Sequence, residues 1–231
     1  MKLSGWLYRH PRSRLAILIA APMAWLVLAY LGSLTTMFLS AFWSVDSFTG
    51  KVIKNFSFAN FQTLFTQSVY ARLALRSLSV ALIVTVIDAL LAIPIAFFMA
   101  KVLPPKLRSF AVVLVVLPLW ASYLVKTYAW RTMFSNEGVI DWLLKPFGIT
   151  SPGYGLFATS LTLAYLWLPY MILPIYAGLE RLPDSLLEAS SDLGATAWQT
   201  FRSIVTPIIY PAIIAGSIFT FSLSLGDYIV V

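Results

Sequence analysis

Residues 187–198 read LEASSDLGATAW, and the reading of this stretch decides how the whole chain folds. It suits water, with Glu188 and Asp192 four positions apart and two serines between them. Yet it lies between two long apolar runs, in a chain that is 60% hydrophobic and only 11% charged. Soluble domains carry roughly 25% charged residues. The chain therefore reads as an integral membrane protein, and the stretch as a loop left in water.

Outward from that loop, five apolar segments cover residues 15–43, 78–100, 109–130, 157–179 and 208–231. A helix needs about 20 apolar residues to cross about 30 Å of hydrocarbon, whereas a barrel shows alternating segments of about ten. The expectation is an all-α membrane protein with five spans, forming a single membrane domain over residues 1–231. The last segment ends on DYIVV with no polar stop, which predicts that the natural chain continues.

Lys2, Arg9, Arg12 and Arg14 precede the first segment. That segment is too long for a signal core of 7–15 residues. It reads as an uncleaved anchor whose tail, residues 1–14, stays in the cytoplasm, because Lys and Arg beside spans set that orientation. Lys101, Lys106 and Arg108 then fall on the same side. The outer loops, residues 44–77 and 131–156, also carry six basic residues, so the bias is uneven. The net charge of +7 sits mostly beside spans and points to anionic membrane lipid, with no nucleic acid required. With no cysteine, disulfides and thiolate metal sites are excluded.

Within residues 180–206, Pro183 suits the first turn of a short helix that Gly194 ends through a left-handed cap. Asp184, Glu188 and Asp192 recur every four residues and share one face, at a cost of about 0.2–0.5 kcal/mol per like-charged pair. Leu186, Ala189 and Leu193 form the other side. A second helix over 197–205 carries Trp198, Phe201, Ile204 and Val205 on its apolar side, and Thr206 and Pro207 then read as N-cap and first residue of the fifth span. Two readings stand: a solvated hairpin at the membrane surface, or a docking element whose acidic stripe meets a basic partner.

Glu188-Ala189-Ser190, Gly194 four positions on, then Ile204 and Pro207, resemble the EAA motif of permease subunits of binding-protein-dependent ABC importers. Ser190 stands where a second alanine is usual, and Thr206 where leucine is usual. Residues 117–141, LPLWASYLVKTYAWRTMFSNEGVID, and 224–231, SLGDYIVV, are similar to the spermidine/putrescine branch, in which arginine is commoner where this chain has Lys126. The resemblance implies the type I ABC importer transmembrane domain, in a bacterial inner membrane, with a sixth span after residue 231. It implies two permease subunits forming the pore, an ATPase dimer beneath and a periplasmic substrate-binding protein above. Asp184, Glu188, Ala189, Ser190, Asp192, Gly194, Ile204 and Pro207 would then lie at the ATPase. ATP and Mg would be held by that partner, and no cofactor by this chain, which has no P-loop.

Three charges lie inside apolar segments: Asp88, Lys126 and Asp227. Each costs about 2.5–3.5 kcal/mol at a helix centre and needs a partner or water. Asp88 suits an internal Asp–Lys pair, a neutral carboxyl or the substrate pathway. Asp227 follows Ser222, Ser224 and Gly226, and suits a carboxylate lining a cation's path. Trp120, Tyr123, Tyr128, Trp130, Tyr165 and Trp167 read either as cation–π walls or as interfacial belts. Polyamines are the expected substrate, with an opine, ferric ion, thiamine or phosphonate left open. Two other classes compete with an importer. An embedded enzyme is disfavoured by a single histidine, His10, and the lack of HExxH or GxSxG. An independent secondary transporter would use Asp88 and Asp227 for ion coupling, and would purify without an ATPase.

Overall fold

The computed structural model describes residues 11–46 and 48–230, so most of the expected tail, residues 1–10, lies outside the described residues. The chain forms two compact units, Met1–Arg72 and Leu73–Val231.

In the first unit, α1 (Pro11–Leu26), a widened π turn (Val27–Leu31) and α2 (Gly32–Ser40) follow one another, and Leu18–Ser40 is long and apolar enough to cross a membrane. Residues 11–14, expected in the tail, are already helical. The segment beyond α2 is more ordered than a plain loop. Strands β1 (Ser44–Val45) and β2 (Val52–Ile53) pair antiparallel, with Ser44 opposite Ile53. Asp46 fastens their turn by accepting from the backbone N–H groups of Phe48 at 2.8 Å and Thr49 at 3.1 Å, which hold its carboxyl below the usual carboxylate range. Asn60 on α3 (Ala59–Thr66) donates to the carbonyls of Ala41 and Trp43, while Phe42 stacks on Phe56.

The second unit holds the remaining spans. Helix α4 (Ser68–Phe97) continues through a π turn (Phe98–Val102), so the helix begins ten residues before the expected span. Arg72 and Arg76 lower the hydropathy of that first part without disfavouring helix. Val80, Ala81, Val84, Asp88, Ala92 and Ala96 recur every three or four residues and make its buried face.

The expected third span is not one helix. It is α5 (Pro105–Trp120) and α6 (Tyr123–Met133), bent by 87° at Ala121 and Ser122, whose ψ angles of 142° and 134° leave the helical region. Pro118 offers no N–H to the last turn of α5, and α5 alone, 16 residues, spans about 24 Å. After α7 (Val139–Leu144), α8 (Leu156–Glu180) matches its expected span to within a residue at each end.

Then come α9 (Asp184–Asp192), α10 (Ala197–Thr200), a π turn (Phe201–Val205) and α11 (Thr206–Leu225). The expected break at Thr206 is absent. Thr206 is helical and its hydroxyl donates to the Phe201 carbonyl at 2.9 Å, so Ala197–Leu225 runs on as one span. The widened turn absorbs the ring of Pro207, which cannot donate and would crowd the carbonyl four residues back. That span stops at Leu225, short of the expected 231, and Asp227 therefore lies beyond it.

Helix α8 is the centre of this unit, and its most extensive contact is with α11. At the crossing, Gly216 lies against Met171 so closely that an added Cβ would stand 2.7 Å from the sulfur and 3.2 Å from Cα. Small residues permit such approaches between membrane helices. Buried Ala92, Ala96, Met171, Ile175, Leu179, Val205 and Ile209 fill one cluster, and Val80, Val84, Leu163, Ala164 and Leu166 a second.

Candidate functional site

The polar stretch at residues 187–198 folds as an elbow of two short helices. Pro183 is extended and starts α9. Gly194, at φ +78°, ends it: Gly194 N–H donates to the Ser191 carbonyl and Ala195 N–H to that of Ser190, a pattern that closes helix ends through a left-handed residue. Thr196 and Gln199 then cap α10 reciprocally. Ser190 and Thr200 join the two arms through their hydroxyls at 2.7 Å. The serine that departs from the EAA pattern is thus the residue that locks the elbow.

The apolar residues of α9 divide between a packed and an exposed side. Leu187 and Ser190 turn towards the bundle, while Leu186, Ala189 and Leu193 are exposed, Leu193 by 88%. Of the residues expected on the apolar side of the second helix, Trp198 is 67% exposed, whereas Phe201 and Ile204 are partly buried and Val205 fully so. A nine-residue helix resting on the bundle through a leucine and small residues leaves its other apolar side uncovered. The acidic stripe is also divided. Asp184 receives the Lys101 ammonium at 2.6 Å, and this hydrogen bond and charge hold its carboxyl below the usual range. Glu188 and Asp192 are exposed, with no ion pair among the described residues. Pro207 is exposed on α11.

At the C-terminal end of α11, beside the middle of α8, a cavity of about 350 Å³ opens between Tyr123, Trp167, Ser222, Gly226, Asp227 and Tyr228. Its carboxylate is built by the turn after α11. Oδ1 of Asp227 accepts from the N–H groups of Ile229 at 3.0 Å and Val230 at 2.9 Å, and Oδ2 accepts from the Tyr123 hydroxyl. A carboxylate offers about four acceptor positions, and three are taken among the described residues. Trp167 stacks on Tyr123, ring centroids 5.9 Å apart, and supplies an aromatic wall. The break before α6 places Tyr123 at the start of its helix, where it can reach this turn.

The other charges stay apart. Asp88 is fully buried on α4, and neither carboxyl oxygen has a hydrogen-bond partner among the described residues. The internal Asp–Lys pair open to it from sequence is not formed: Lys126 is half-buried on α6 and makes no ion pair among the described residues. Trp120, at the end of α5, is 89% exposed and does not line the cavity. Sequence alone leaves Trp167 among the general aromatics and gives Lys101 only a topological meaning.

Residues 73–231, the second unit, match the family described as binding-protein-dependent transport system inner membrane component. Over 99% of this chain and 78% of the relative, the sequence is 43% identical to an inner membrane ABC transporter permease protein, YdcU, of Escherichia coli (strain K12). It is 37% identical, over 74% of this chain and 60% of the relative, to the spermidine/putrescine transport system permease protein PotB of Haemophilus influenzae. Among solved structures, that of a bacterial alginate ABC transporter, in complex with an alginate pentasaccharide-bound periplasmic protein, superimposes with a TM-score of 0.70 at 19% identity. The match covers 92% of this chain and 72% of that one, and shows the type I importer fold.

Proposed function

Because the chain belongs to the family of binding-protein-dependent transport system inner membrane components, multi-pass permease subunits of ABC importers, we propose that it forms half of a polyamine pathway driven by a partner's ATP hydrolysis. The observation that carries the substrate is the cavity in which Asp227 presents its carboxylate beside the Tyr123 and Trp167 rings. A protonated amine donates a charge-assisted hydrogen bond to the carboxylate and makes a cation–π contact with the indole. The spermidine/putrescine relatives support the same class, whereas the more similar YdcU carries no substrate in its name.

In this reading the elbow is the coupling element. Leu186, Ala189, Leu193 and Trp198 enter a groove of a cytoplasmic ATPase, flanked by Glu188 and Asp192. Asp184, Ser190, Gly194, Ile204 and Pro207 hold that surface in shape. The N-terminus then lies in the cytoplasm, a second permease completes the pore, and a periplasmic protein delivers substrate at the Asp227 end. Nucleotide-driven closure of the ATPases moves the elbow and rocks the spans between outward and inward openings. Asp88, Trp120 and Lys126 stay candidates for the pathway in conformations other than this one.

The test is uptake of labelled spermidine and putrescine by cells lacking their other polyamine importers, with the permease expressed beside its partners. Uptake that Glu188→Lys abolishes while the permease still inserts supports both halves of the proposal. Wild-type permease that restores no polyamine uptake removes the substrate, and unaltered uptake by Glu188→Lys removes the coupling face.

A further inference from the structure

Lys101 ends the long helix of α4 inside the π turn Phe98–Val102, and its side chain is only 7% exposed. Its ammonium donates to the Leu182 carbonyl at 2.6 Å and to Oδ1 of Asp184 at 2.6 Å. These acceptors stand on either side of Pro183, at the corner where α8 ends and the elbow begins. Proline supplies no N–H there, so Pro183 adds no backbone donor to the corner. One buried cation thus binds the turn that follows a span and the first residue of α9 at once.

We propose that Lys101 is the positioning residue through which movement of α9 reaches the membrane-embedded bundle. The proposal rests on the coupling reading of the elbow and names the part that transmits it. Three features of the site support it.

The pair is asymmetric, with Asp184 66% exposed and Lys101 almost wholly covered. An exposed pair can part into water at little cost. Here the ammonium has no water to retreat to, and losing its acceptors leaves a buried, unpaired charge. Displacement of α9 therefore pulls on α4.

Elsewhere the packing of the elbow leaves a gap. A cavity of about 300 Å³ lies among Phe97, Leu187, Ser191, Thr200, Phe201 and Val205, between α9 and the helices beside it. Phe201 and Val205, which line this cavity, bound one π turn, and Phe97, which also lines it, immediately precedes the other, Phe98–Val102. Such turns are found at functional sites where a helix changes its winding. The elbow can shift against these surfaces but is fixed at Lys101.

No other cation takes that place among the described residues. Arg108 adds a favourable charge near Asp184, yet its Nε donates to the Leu103 carbonyl at 3.0 Å, and the Lys101–Asp184 contact is the sole salt bridge among the described residues.

The experiment uses the permease co-expressed with its second permease and ATPase, reconstituted in nanodiscs, comparing wild type with Lys101→Gln, Lys101→Arg and Asp184→Asn. Four quantities are read: copurifying ATPase, basal ATP hydrolysis, its stimulation by spermidine-loaded binding protein, and spin-label distances between Leu193 and α4. Lys101→Gln is expected to keep the ATPase and basal rate while cutting stimulation about fivefold or more, and to broaden the distance distribution. Lys101→Arg, which can still reach both acceptors, is expected to restore most of the stimulation, and Asp184→Asn to show an intermediate loss. Unchanged stimulation in both Lys101→Gln and Asp184→Asn overturns the proposal. So does a loss of stimulation that only tracks lost assembly and that arginine does not rescue. If Lys101→Gln fails to insert, Asp184→Asn alone decides by the same criterion. A wild-type complex that retains no ATPase removes the coupling reading itself, a result distinct from any variant's behaviour.

Discussion

Tyr123 donates a hydrogen bond to Asp227 across 104 residues of sequence, joining the start of α6 to the turn beyond α11. A hydrogen bond to a charged group contributes about 1.5–3 kcal/mol. Tyr123→Phe keeps the ring against Trp167 but releases the carboxylate. In the proposed pathway it is expected to raise the KM for polyamine uptake about tenfold, with surface expression unchanged. Asp227→Asn is expected to lose more, since it removes the charge while still accepting from Ile229 and Val230. Wild-type uptake kinetics in both variants would return the pair to a purely structural role.

The elbow makes a separate forecast about stability. Gly194→Ala forces an L-residue to φ +78°, at a cost of about 1–2 kcal/mol. Ser190→Ala removes the bond to Thr200 and costs about 0.5–1.5 kcal/mol. Both are read as loss of helix-end protection by hydrogen exchange at residues 184–200, with the spans unaffected. Equal protection in wild type and Gly194→Ala would mean that the elbow does not depend on its left-handed cap.

Packing at the α8–α11 crossing is tested by glycine. Gly216→Ala drives a methyl into Met171 and is expected to destabilise by about 1–3 kcal/mol. Gly32→Ala is the control, because its Cβ meets nothing within 4 Å in a helical segment and alanine gains about 0.5–1 kcal/mol there. The thermal midpoints of the two purified variants should move in opposite directions. A Gly216→Ala midpoint at or above wild type would show that α8 and α11 do not approach as described.

Asp88 gives the least intuitive forecast. Its carboxyl is buried with no hydrogen bond among the described residues, and replacing an unpaired buried polar group by an apolar one of similar size is neutral or stabilising. Asp88→Leu is expected to leave the thermal midpoint unchanged or raised. A fall of about 2 kcal/mol or more would reveal a partner for this carboxyl in the assembled transporter.

What the sequence made legible was whatever its local pattern carries. The α8 span is a continuous apolar run between polar turns, and its expected limits lie within a residue of Leu156–Glu180. Gly194 comes after an amphipathic stretch, which is where a left-handed cap belongs. Hydropathy could not see the 87° bend, because Ala121 and Ser122 are as compatible with a membrane helix as with a break. It extended the last span to residue 231, since Tyr228, Ile229 and Val230 are apolar, although the helix ends at Leu225. Contacts distant in sequence stayed hidden for a different reason. Nothing near Lys101 announces a partner 83 residues away, and nothing near Trp167 distinguishes a cavity wall from an interfacial belt. Which apolar residues of α9 meet the bundle is not set by their spacing alone: Leu187 packs on it, while Leu186 and Leu193 are exposed.

The measurement that bears most directly on the central claim is ATP hydrolysis by the assembled transporter in nanodiscs, as loaded and empty binding protein are added in turn. The account predicts that spermidine- or putrescine-loaded protein raises hydrolysis above the level with empty protein, and that Glu188→Lys abolishes the rise. Stimulation by an opine, thiamine, a phosphonate or ferric ion in place of any polyamine would contradict it, as would a permease that transports with no ATPase bound.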